Sequence, residues 1–306
     1  MTRRVLSGRL GLVLAVLLLA VAPAAAEPLR HGPLRHGQGI FWRIEGKGAE
    51  PSHILGTFHT ADQRVLDLAA EIGEAFKAAR SLSLERVMTY EDRVQVNDAM
   101  TLSGGRNLRQ ILGKKLFNDV VLAARAYRLP PSHVQTLKPW AVYMVLGMPP
   151  GESIRRGMGA PFLDYMLQQA ADQMGKPVHG LEQVDQALGF FDELSQDQQI
   201  ALVEAALRFN YHIDNHFYKA MRYYLRADMD AVLTYFGKHS TLDDPGLAEI
   251  LQTRFIDDRN AVMVKNMLER LRKGRAFVAV GAAHLPGEKG VLHLLEQRGY
   301  RVARVF

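Results

Sequence analysis

Two apolar, strand-like runs in this chain each end in a Gly-x-x-His motif. The first is His53-Ile-Leu-Gly-Thr-Phe-His59 and the second is Ala276-Phe-Val-Ala-Val-Gly-Ala-Ala-His284. Glycine at a strand end permits a positive φ or a close approach of another backbone. In open α/β sheets, residues just beyond the carboxyl ends of the strands line the crevice where ligands bind. We therefore expect Gly56 and Gly281 to direct both histidines into one crevice, provided that the two strands are parallel neighbours.

The segment after residue 39 has a β-α-β pattern. Phe41–Ile44 and the run ending at Gly56 predict strands, and Asp62–Arg80 has apolar residues at helical spacing. The alternating segment Ser81–Glu85 predicts the next strand. Because β-α-β units favour parallel strands with a right-handed crossover, we predict a parallel pair here.

Helical patterns dominate from about residue 90 to 273. The predicted helices cover 108–127, 134–146, 161–173, 197–224, 229–236 and 248–272. A strand-like piece at 176–182 interrupts them, and strands at 276–280 and 300–306 close the chain around a short helix at 290–297. This pattern predicts an α/β (α+β) domain over residues 39–306. Its central, mostly parallel sheet is built from both chain ends, and residues 90–273 form a large, mainly helical insertion.

Residues 1–26 have the pattern of a secretory signal peptide. Three arginines precede the apolar run 10–21, and Ala24–Ala26 resembles a cleavage site. Residues 27–38 repeat Pro-Leu-Arg-His-Gly, which predicts a flexible leader. We expect an exported protein, periplasmic if its source is a Gram-negative bacterium.

The composition disfavours several classes of protein. Of the formal charge of +6, the signal segment holds Arg3, Arg4 and Arg9, so the rest carries +3 without a basic run, which disfavours nucleic-acid binding. The absence of cysteine excludes disulfides and thiolate metal ligands. No later segment reaches the roughly 20 apolar residues of a membrane helix, so we expect no stable membrane anchor. The oligomeric state stays open.

Four side chains that can bind metal follow four predicted strands, namely His59, Glu85, Glu182 and His284. Imidazole and carboxylate together suit Zn, Mn, Fe or Co, and a catalytic site keeps one coordination position for water. A bound divalent cation lowers the pKa of that water from 15.7 to roughly 7, and a remaining carboxylate can act as base. A structural role is the alternative, since Arg86 could pair with Glu85.

Two further groups have alternative interpretations. Arg259 and Asn260 lie in the predicted helix 248–272, where a guanidinium could stabilise an oxyanion or belong to a solvated face. His212 and His216 have the i, i+4 spacing that can chelate a metal. Their aromatic neighbours favour a packing role.

A set of motifs spans nearly all of the chain after the leader. They are Leu55–His59, the strand end at Glu85, Leu137–Trp140, Gly175–Glu182, Asp258–Asn260, Val280–Gly290 and Arg298–Tyr300. In this order they resemble the TraB/PrgY/GumN family. That family is related to the Tiki metalloproteases and more remotely to erythromycin esterase-like and ChaN-like folds.

The resemblance implies a metal site and a peptide substrate. The residues implied for the metal are His59, Glu85 and His284. Further recurrent polar positions are Asp164, Glu182 and Arg259. Tiki-type relatives imply an Mn- or Co-dependent peptidase, whereas PrgY-type relatives imply inactivation or sequestration of a peptide pheromone. Arg86 departs from the acidic or apolar residue that often follows the first glutamate, and this alters the charge of the site.

We therefore hypothesise an exported hydrolase that uses Mn, Co or Zn to act on a peptide or small-molecule amide. In this hypothesis Glu182 coordinates the ion or acts as base, and Arg259, beside Asn260, stabilises the oxyanion. The alternative is a non-catalytic peptide- or haem-binding protein with the same fold. A structural envelope protein with a relict site is a third possibility.

Overall fold

A computed structural model of the chain describes residues 33–87 and 89–306. The predicted signal peptide lies outside these residues. Six strands form one sheet in the order β4-β3-β5-β2-β1-β6. They are β1 (Phe41–Glu45), β2 (Ser52–Thr57), β3 (Ser81–Leu84), β4 (Val178–Gly180), β5 (Ala276–Gly281) and β6 (Arg301–Arg304). The sheet is thus built from both chain ends, as predicted.

The four strands β4, β3, β5 and β2 run parallel to one another, whereas β1 is antiparallel to both β2 and β6. Thr57 at the end of β2 pairs with Gly281 of β5, and Leu84 of β3 pairs with Ala279 of β5. The carboxyl ends of the parallel strands therefore meet at one edge. This confirms the condition that the two Gly-x-x-His strands are parallel neighbours.

Helices make up most of the remainder. They are α1 (Gln63–Leu66), α2 (Ala70–Ala78), α3 (Tyr90–Met100), α4 (Leu108–Ala124), α5 (Pro131–Val134), α6 (Pro139–Leu146), α7 (Pro150–Gly157), α8 (Leu163–Gln173), α9 (Val184–Leu188), α10 (Phe190–Glu193), α11 (Gln196–Asn210), α12 (Ile213–Tyr224), α13 (Met229–His239), α14 (Pro245–Leu251), α15 (Asp258–Lys273) and α16 (Val291–Glu296). A π-helical segment, Gln252–Asp257, joins α14 to α15. Short 3₁₀ helices cover Arg125–Tyr127 and Ala282–His284.

Several helices differ from the predicted ones. The helix predicted over 62–80 is divided into α1 and α2, the one over 197–224 is divided at Tyr211–His212, and the one over 248–272 contains the π-helical segment. Helix α7 was not predicted because Pro149-Pro150-Gly151 has the composition of a turn. In the structure Pro150 occupies the first turn of α7, where its missing N–H leaves no hydrogen bond unmade.

Apolar side chains cover both faces of the sheet. On one face, Leu55, Leu82 and Phe277 pack with residues of α2, α8, α12 and α13. On the other, Ile54 and Val278 pack with residues of α15 and α16. A third core, which includes Trp140, Phe191 and Phe255, lies within the helical insertion. The sheet is therefore a middle layer between two sets of helices.

The end of the predicted leader contacts the domain. Leu34 N–H donates to Asp230 Oδ1 at 3.0 Å, and Gly39 N–H donates to the carbonyl of Ala227 at 2.6 Å. Arg35 forms ion pairs with Glu288 and Glu296. The described part of the leader is thus fixed to the body by its backbone and charged groups. Within the described residues, no helix has the length and apolarity needed to cross a membrane.

Candidate active site

Gly56 lets the two Gly-x-x-His motifs pack against each other. A Cβ built on Gly56 would lie 2.8 Å from Leu285 Cδ1 and 2.9 Å from Ala282 Cα, closer than real Cβ contacts. Ala282 begins the 3₁₀ helix that carries His284. Close backbone approach, rather than a positive φ, therefore explains this glycine.

His284 is held by a chain of hydrogen bonds. Asn260 Nδ2 donates to the carbonyl of Lys289 at 2.9 Å, which directs Asn260 Oδ1 to His284 Nδ1 at 2.6 Å. His284 Nδ1 must then be the donor, so its Nε2 carries a lone pair. This Nε2 lies 3.7 Å from Glu85 Oε1. Burial lowers the pKa of His284 to about 3 despite the opposing charge of Glu85, so the imidazole is neutral at neutral pH.

Glu85 follows β3 and is a buried, charged carboxylate. Its Oε1 accepts from the backbone N–H of Gly281 at 2.6 Å, and its Oε2 accepts from Arg259 Nη2 at 3.0 Å. Burial alone would raise the pKa of Glu85. The nearby His284, Arg259 and His59 outweigh burial and lower this pKa to about 2. His59 is therefore close enough to Glu85 for the two groups to interact electrostatically, although His59 follows a different strand.

Glu182 and Arg259 form a buried ion pair behind Glu85. Arg259 Nε and Nη2 donate side-on to the two carboxylate oxygens of Glu182 at 2.8 and 2.5 Å. Arg259 Nη1 donates to the carbonyl of Phe255, in the π-helical segment, at 3.2 Å. Every guanidinium nitrogen and both Glu182 oxygens are thus engaged. The structure therefore brings Glu182 and Arg259 together, as predicted for one site, but the two side chains bond to each other.

A cavity of about 360 Å³ adjoins this ion pair. Its lining includes Glu182, Arg259, Phe190 and Arg254, but neither candidate histidine. The cavity therefore adjoins the ion pair but is not lined by His59 or His284.

His59 has a different environment. Its Nε2 lies 3.4 Å from Asp164 Oδ2, and its ring meets Phe162 edge-on at 5.6 Å. Thr57 Oγ1 donates to Asp164 Oδ1 at 3.0 Å, whereas Oδ2 has no hydrogen-bond donor among the described residues. The side chains of His59 and Asp164 are 13% and 11% exposed, so solvent reaches this side. Asp164, which only the family resemblance had indicated, lies within the site.

Two buried charges that the sequence did not reveal support the His59 turn. Arg156 Nη2 donates to the carbonyl of His59. Glu152 accepts from Thr60 Oγ1 at 2.9 Å and from the backbone N–H of Ala61 at 3.0 Å. Both residues lie on α7, four positions apart. Their i, i+4 spacing was the available signal, but it follows the Pro-Pro-Gly segment, whose composition indicates a break.

The donor atoms fit a divalent cation in chemistry, but they do not form one compact set. A neutral imidazole with its outer nitrogen hydrogen-bonded is typical of metal-binding histidines, and Glu85 supplies negative charge. The structure pairs His284 with Glu85 and His59 with Asp164. Across residues 33–87 and 89–306, however, no three His, Asp or Glu side chains are grouped so that they could hold a metal ion.

Comparison with known proteins relates the chain to one family. The model of the TraB/PrgY/gumN family matches residues 40–304. Zebrafish "Metalloprotease TIKI2" is 23% identical over 308 residues, covering 82% of this chain and 58% of that protein. "Uncharacterized protein YbaP" of Shigella flexneri is 24% identical over 249 residues, covering 81% of this chain and 89% of YbaP. This chain thus spans little more than half of the zebrafish protein.

A "Metalloprotease TIKI homolog" of the sponge Amphimedon queenslandica is 24% identical over 244 residues, covering 72% of this chain and 46% of that protein. No solved structure matches the chain significantly. Since the family model covers the whole sheet and both Gly-x-x-His motifs, the chain belongs to the TraB/PrgY/gumN family.

Proposed function

We propose that this protein is an exported, metal-dependent hydrolase of peptide or amide bonds. The observation that carries the proposal is the 3.7 Å approach of His284 Nε2 to Glu85 Oε1. A neutral imidazole nitrogen and a charged carboxylate oxygen are both acceptors, and a cation between them would stabilise both. Relatives named as metalloproteases, at 23–24% identity, support the same chemistry.

Glu85 and His284 would hold the ion, which could be Mn, Co or Zn, and His59 is the third ligand that the family resemblance implies. When bound, such an ion supplies hydroxide near neutral pH and polarises a carbonyl. The remaining chemistry depends on the chain's own residues. Asn260 fixes the tautomer of His284, and Arg259 keeps Glu85 charged and oriented.

The proton acceptor in this proposal is Asp164. Thr57 fixes one oxygen of Asp164, while the other lies beside His59 without a hydrogen-bond donor among the described residues. Glu182 is less suited to this role, because both of its oxygens accept from Arg259. Arg259 is therefore a positioning residue here rather than an oxyanion donor.

Metal content tests the proposal. Full-length protein purified without a histidine tag is analysed for Mn, Co and Zn, alongside His284→Gln and a control, His293→Gln, which alters a helix histidine bonded to Glu296. We expect the His284 variant alone to lose bound metal. Equal metal content in all three proteins at matched folding would show the assignment to be wrong.

Activity provides the second test. A pool of short peptides is incubated with the wild-type protein, and the products are identified by mass spectrometry. Chelator should abolish cleavage, and one of Mn, Co or Zn should restore it. Retention of intact peptide without cleavage under all these conditions would favour the binding-protein alternative.

Export is tested separately, by determining the first residue of protein recovered from the periplasmic fraction of a Gram-negative host. We expect a mature chain that begins at Glu27. A chain that keeps residues 1–26 and stays in the cytoplasm would contradict this part of the proposal.

A further inference from the structure

Arg156 is a buried cation next to the His59 side of the site. It is 5% exposed, and its guanidinium lies 4.9 Å from the ring centre of Phe162, whose ring also contacts His59. One of its nitrogens, Nη2, donates to the carbonyl of His59. The guanidinium is therefore fixed against the turn that carries His59.

The other two nitrogens of Arg156 have no acceptor. Neither Nε nor Nη1 finds a hydrogen-bond partner among the described residues, although both atoms are buried. Glu152 and Asp164 interact electrostatically with Arg156. Glu152 does not accept a hydrogen bond from Arg156, because its oxygens accept from Thr60, Ala61 and Arg155. Buried donors without acceptors are uncommon in folded proteins and costly, more so when they are charged.

Arg156 remains a cation under ordinary conditions. Burial lowers the pKa of its guanidinium to about 10, while Glu152 and Asp164 oppose this effect. At neutral pH the group therefore offers positive charge and two N–H donors. A carboxylate matches both properties, because charge-assisted hydrogen bonds from arginine to carboxylate are among the strongest in proteins. A neutral acceptor would supply only hydrogen bonds.

We propose that Arg156 binds a carboxylate group of the substrate and so selects peptides with a carboxylate close to the cleaved bond. The inference rests on the proposed function, since it describes the substrate of the same site. The carboxylate would come from a peptide C-terminus or from an acidic side chain. It would enter past His59 and Asp164, the partly exposed side chains on this side.

Three small peptides distinguish these sources: N-acetyl-trialanine as free acid, the same peptide as C-terminal amide, and N-acetyl-Ala-Glu-Ala amide. Isothermal titration measures their affinities for the full-length wild-type protein. We expect one or both carboxylate peptides to bind about 10- to 100-fold more tightly than the trialanine amide. A preference for the free acid identifies the C-terminus, and a preference for the glutamate peptide identifies the side chain.

Variants of α7 connect the preference to Arg156. In Arg156→Gln the ratio of affinities should fall to about one, and in Arg156→Lys, which keeps the charge, it should be intermediate. Arg155→Gln is the matched control, because it removes the same charge from the adjacent, 52% exposed side chain. Its ratio should equal that of the wild type. Thermal unfolding of each variant establishes that folding is matched, and the Lys variant serves if the Gln variant does not fold.

The ratio of acid to amide affinity distinguishes recognition of the carboxylate by Arg156 from structural support of the His59 turn. If Arg156 only held the His59 turn, Arg156→Gln would weaken acid and amide equally, and an unchanged ratio would overturn the inference. Equal affinity of the wild type for all three peptides, or no binding of any, would also overturn it. Selective binding without cleavage would leave the inference intact while the hydrolase proposal fails. Cleavage of the free acid and the amide with equal efficiency would support the hydrolase proposal and overturn the inference about Arg156.

Discussion

The two Gly-x-x-His motifs end in opposite environments. The His284 half comprises Glu85, Glu182, Arg259, Asn260 and His284. All five are buried, and each is joined to another by a hydrogen bond or an ion pair. The His59 half comprises Thr57, His59, Arg156 and Asp164. It contains buried polar atoms without hydrogen-bond partners among the described residues, and part of it reaches solvent.

This difference suggests that the two halves of the site have different roles. A connected buried network holds its members in place, and removing one member leaves charged groups unpaired. Buried polar atoms without hydrogen-bond partners reduce the stability of the folded protein. Natural proteins keep such atoms mainly where function needs them. We infer that the His284 half is the rigid support and that the His59 half meets the substrate.

The largest expected effect is on the rigid half. Arg259→Met would leave Glu85 and Glu182 buried without their counter-charge, so we expect a loss of about 3–5 kcal/mol in the free energy of unfolding. Arg254→Met is the control, because Arg254 is 45% exposed and pairs with Glu193 at the surface. It should cost less than about 1 kcal/mol. Urea denaturation measures both, and similar losses would remove the distinction between the halves.

Asn260 tests whether the support acts on the metal. In Asn260→Ala, His284 Nδ1 loses its acceptor, and we expect metal affinity to fall about 10- to 100-fold. Asn266→Ala is the control, since Asn266 also donates to a buried backbone carbonyl, that of Leu181, but its amide bonds to no histidine. Metal titration followed by elemental analysis should show a change only for Asn260. Unchanged affinity in both variants would contradict the proposed support.

Gly56 tests the contact between the two motifs. In Gly56→Ala the new methyl group would collide with Ala282 Cα, so we expect a loss of about 1–3 kcal/mol in unfolding free energy. Gly73→Ala provides the opposite case. Gly73 lies in α2, and no atom beyond its chain neighbours and its own helix backbone comes within 4 Å of the position that an alanine methyl group would take there. Its replacement should therefore stabilise the protein by about 0.5–1 kcal/mol. Equal effects would show that the motifs do not pack as closely as described.

His216 lies outside both halves, so its pKa shows the effect of burial on a histidine without the chemistry of the site. His216 is buried, stacks on Phe209 and bonds to the hydroxyl of Tyr235, in line with the packing role predicted for it. Burial, aided by His239, His212 and Lys219, lowers its pKa from 6.5 to about 4.

Between these pH values the unfolded chain binds more protons, so His216 stabilises the protein above pH 6.5 and this contribution declines as the pH falls towards 4. The slope contributed by this residue is at most roughly 1.4 kcal/mol per pH unit. Urea denaturation from pH 4 to 8 should show a shallower slope for His216→Gln than for the wild type. The same slope for both would contradict this assignment.

The smallest effect on stability is expected in the His59 half. Asp164→Asn keeps an acceptor for Thr57 and changes an oxygen without a donor among the described residues, so unfolding free energy should change by less than about 1 kcal/mol. Peptide cleavage should fall at least about 100-fold if Asp164 accepts the proton. Asp172→Asn, on the exposed side of α8, should change neither quantity. A loss of stability as large as that of Arg259→Met would contradict the division between the halves.

The edge of the sheet could be predicted well from the sequence. Apolar runs ending at Gly56, Glu85 and Gly281 indicated strands, and β-α-β order indicated their parallel direction, because such patterns depend on local geometry and on the handedness of crossovers. The continuous helices predicted over 197–224 and 248–272 were less accurate. Apolar periodicity persists across the breaks there and does not reveal them.

The partners of the charged residues could not be predicted in the same way. Glu182 was expected to serve the metal, yet Arg259, 77 residues later, takes both of its oxygens. Arg156 was not predicted, because nothing in its local sequence distinguishes a buried guanidinium from an exposed one such as Arg155. Partner choice depends on which elements pack together, and that information is spread over the whole chain.

The sequence by itself determined the family, through the motifs by which it resembles the family's members. It also determined the α/β class and the meeting of four strand ends at one edge, because these two features follow from periodicity, turn residues and chain order. Only the tertiary structure decided that one Gly-x-x-His motif is enclosed by a connected network of buried hydrogen bonds and ion pairs. It also decided that the other lies beside Arg156 and Asp164, which keep polar atoms without hydrogen-bond partners among the described residues. The physical reason is that desolvation and hydrogen bonding act through space. The helices that cover each motif, α15 over His284 and α7 with α8 over His59, therefore set its chemistry.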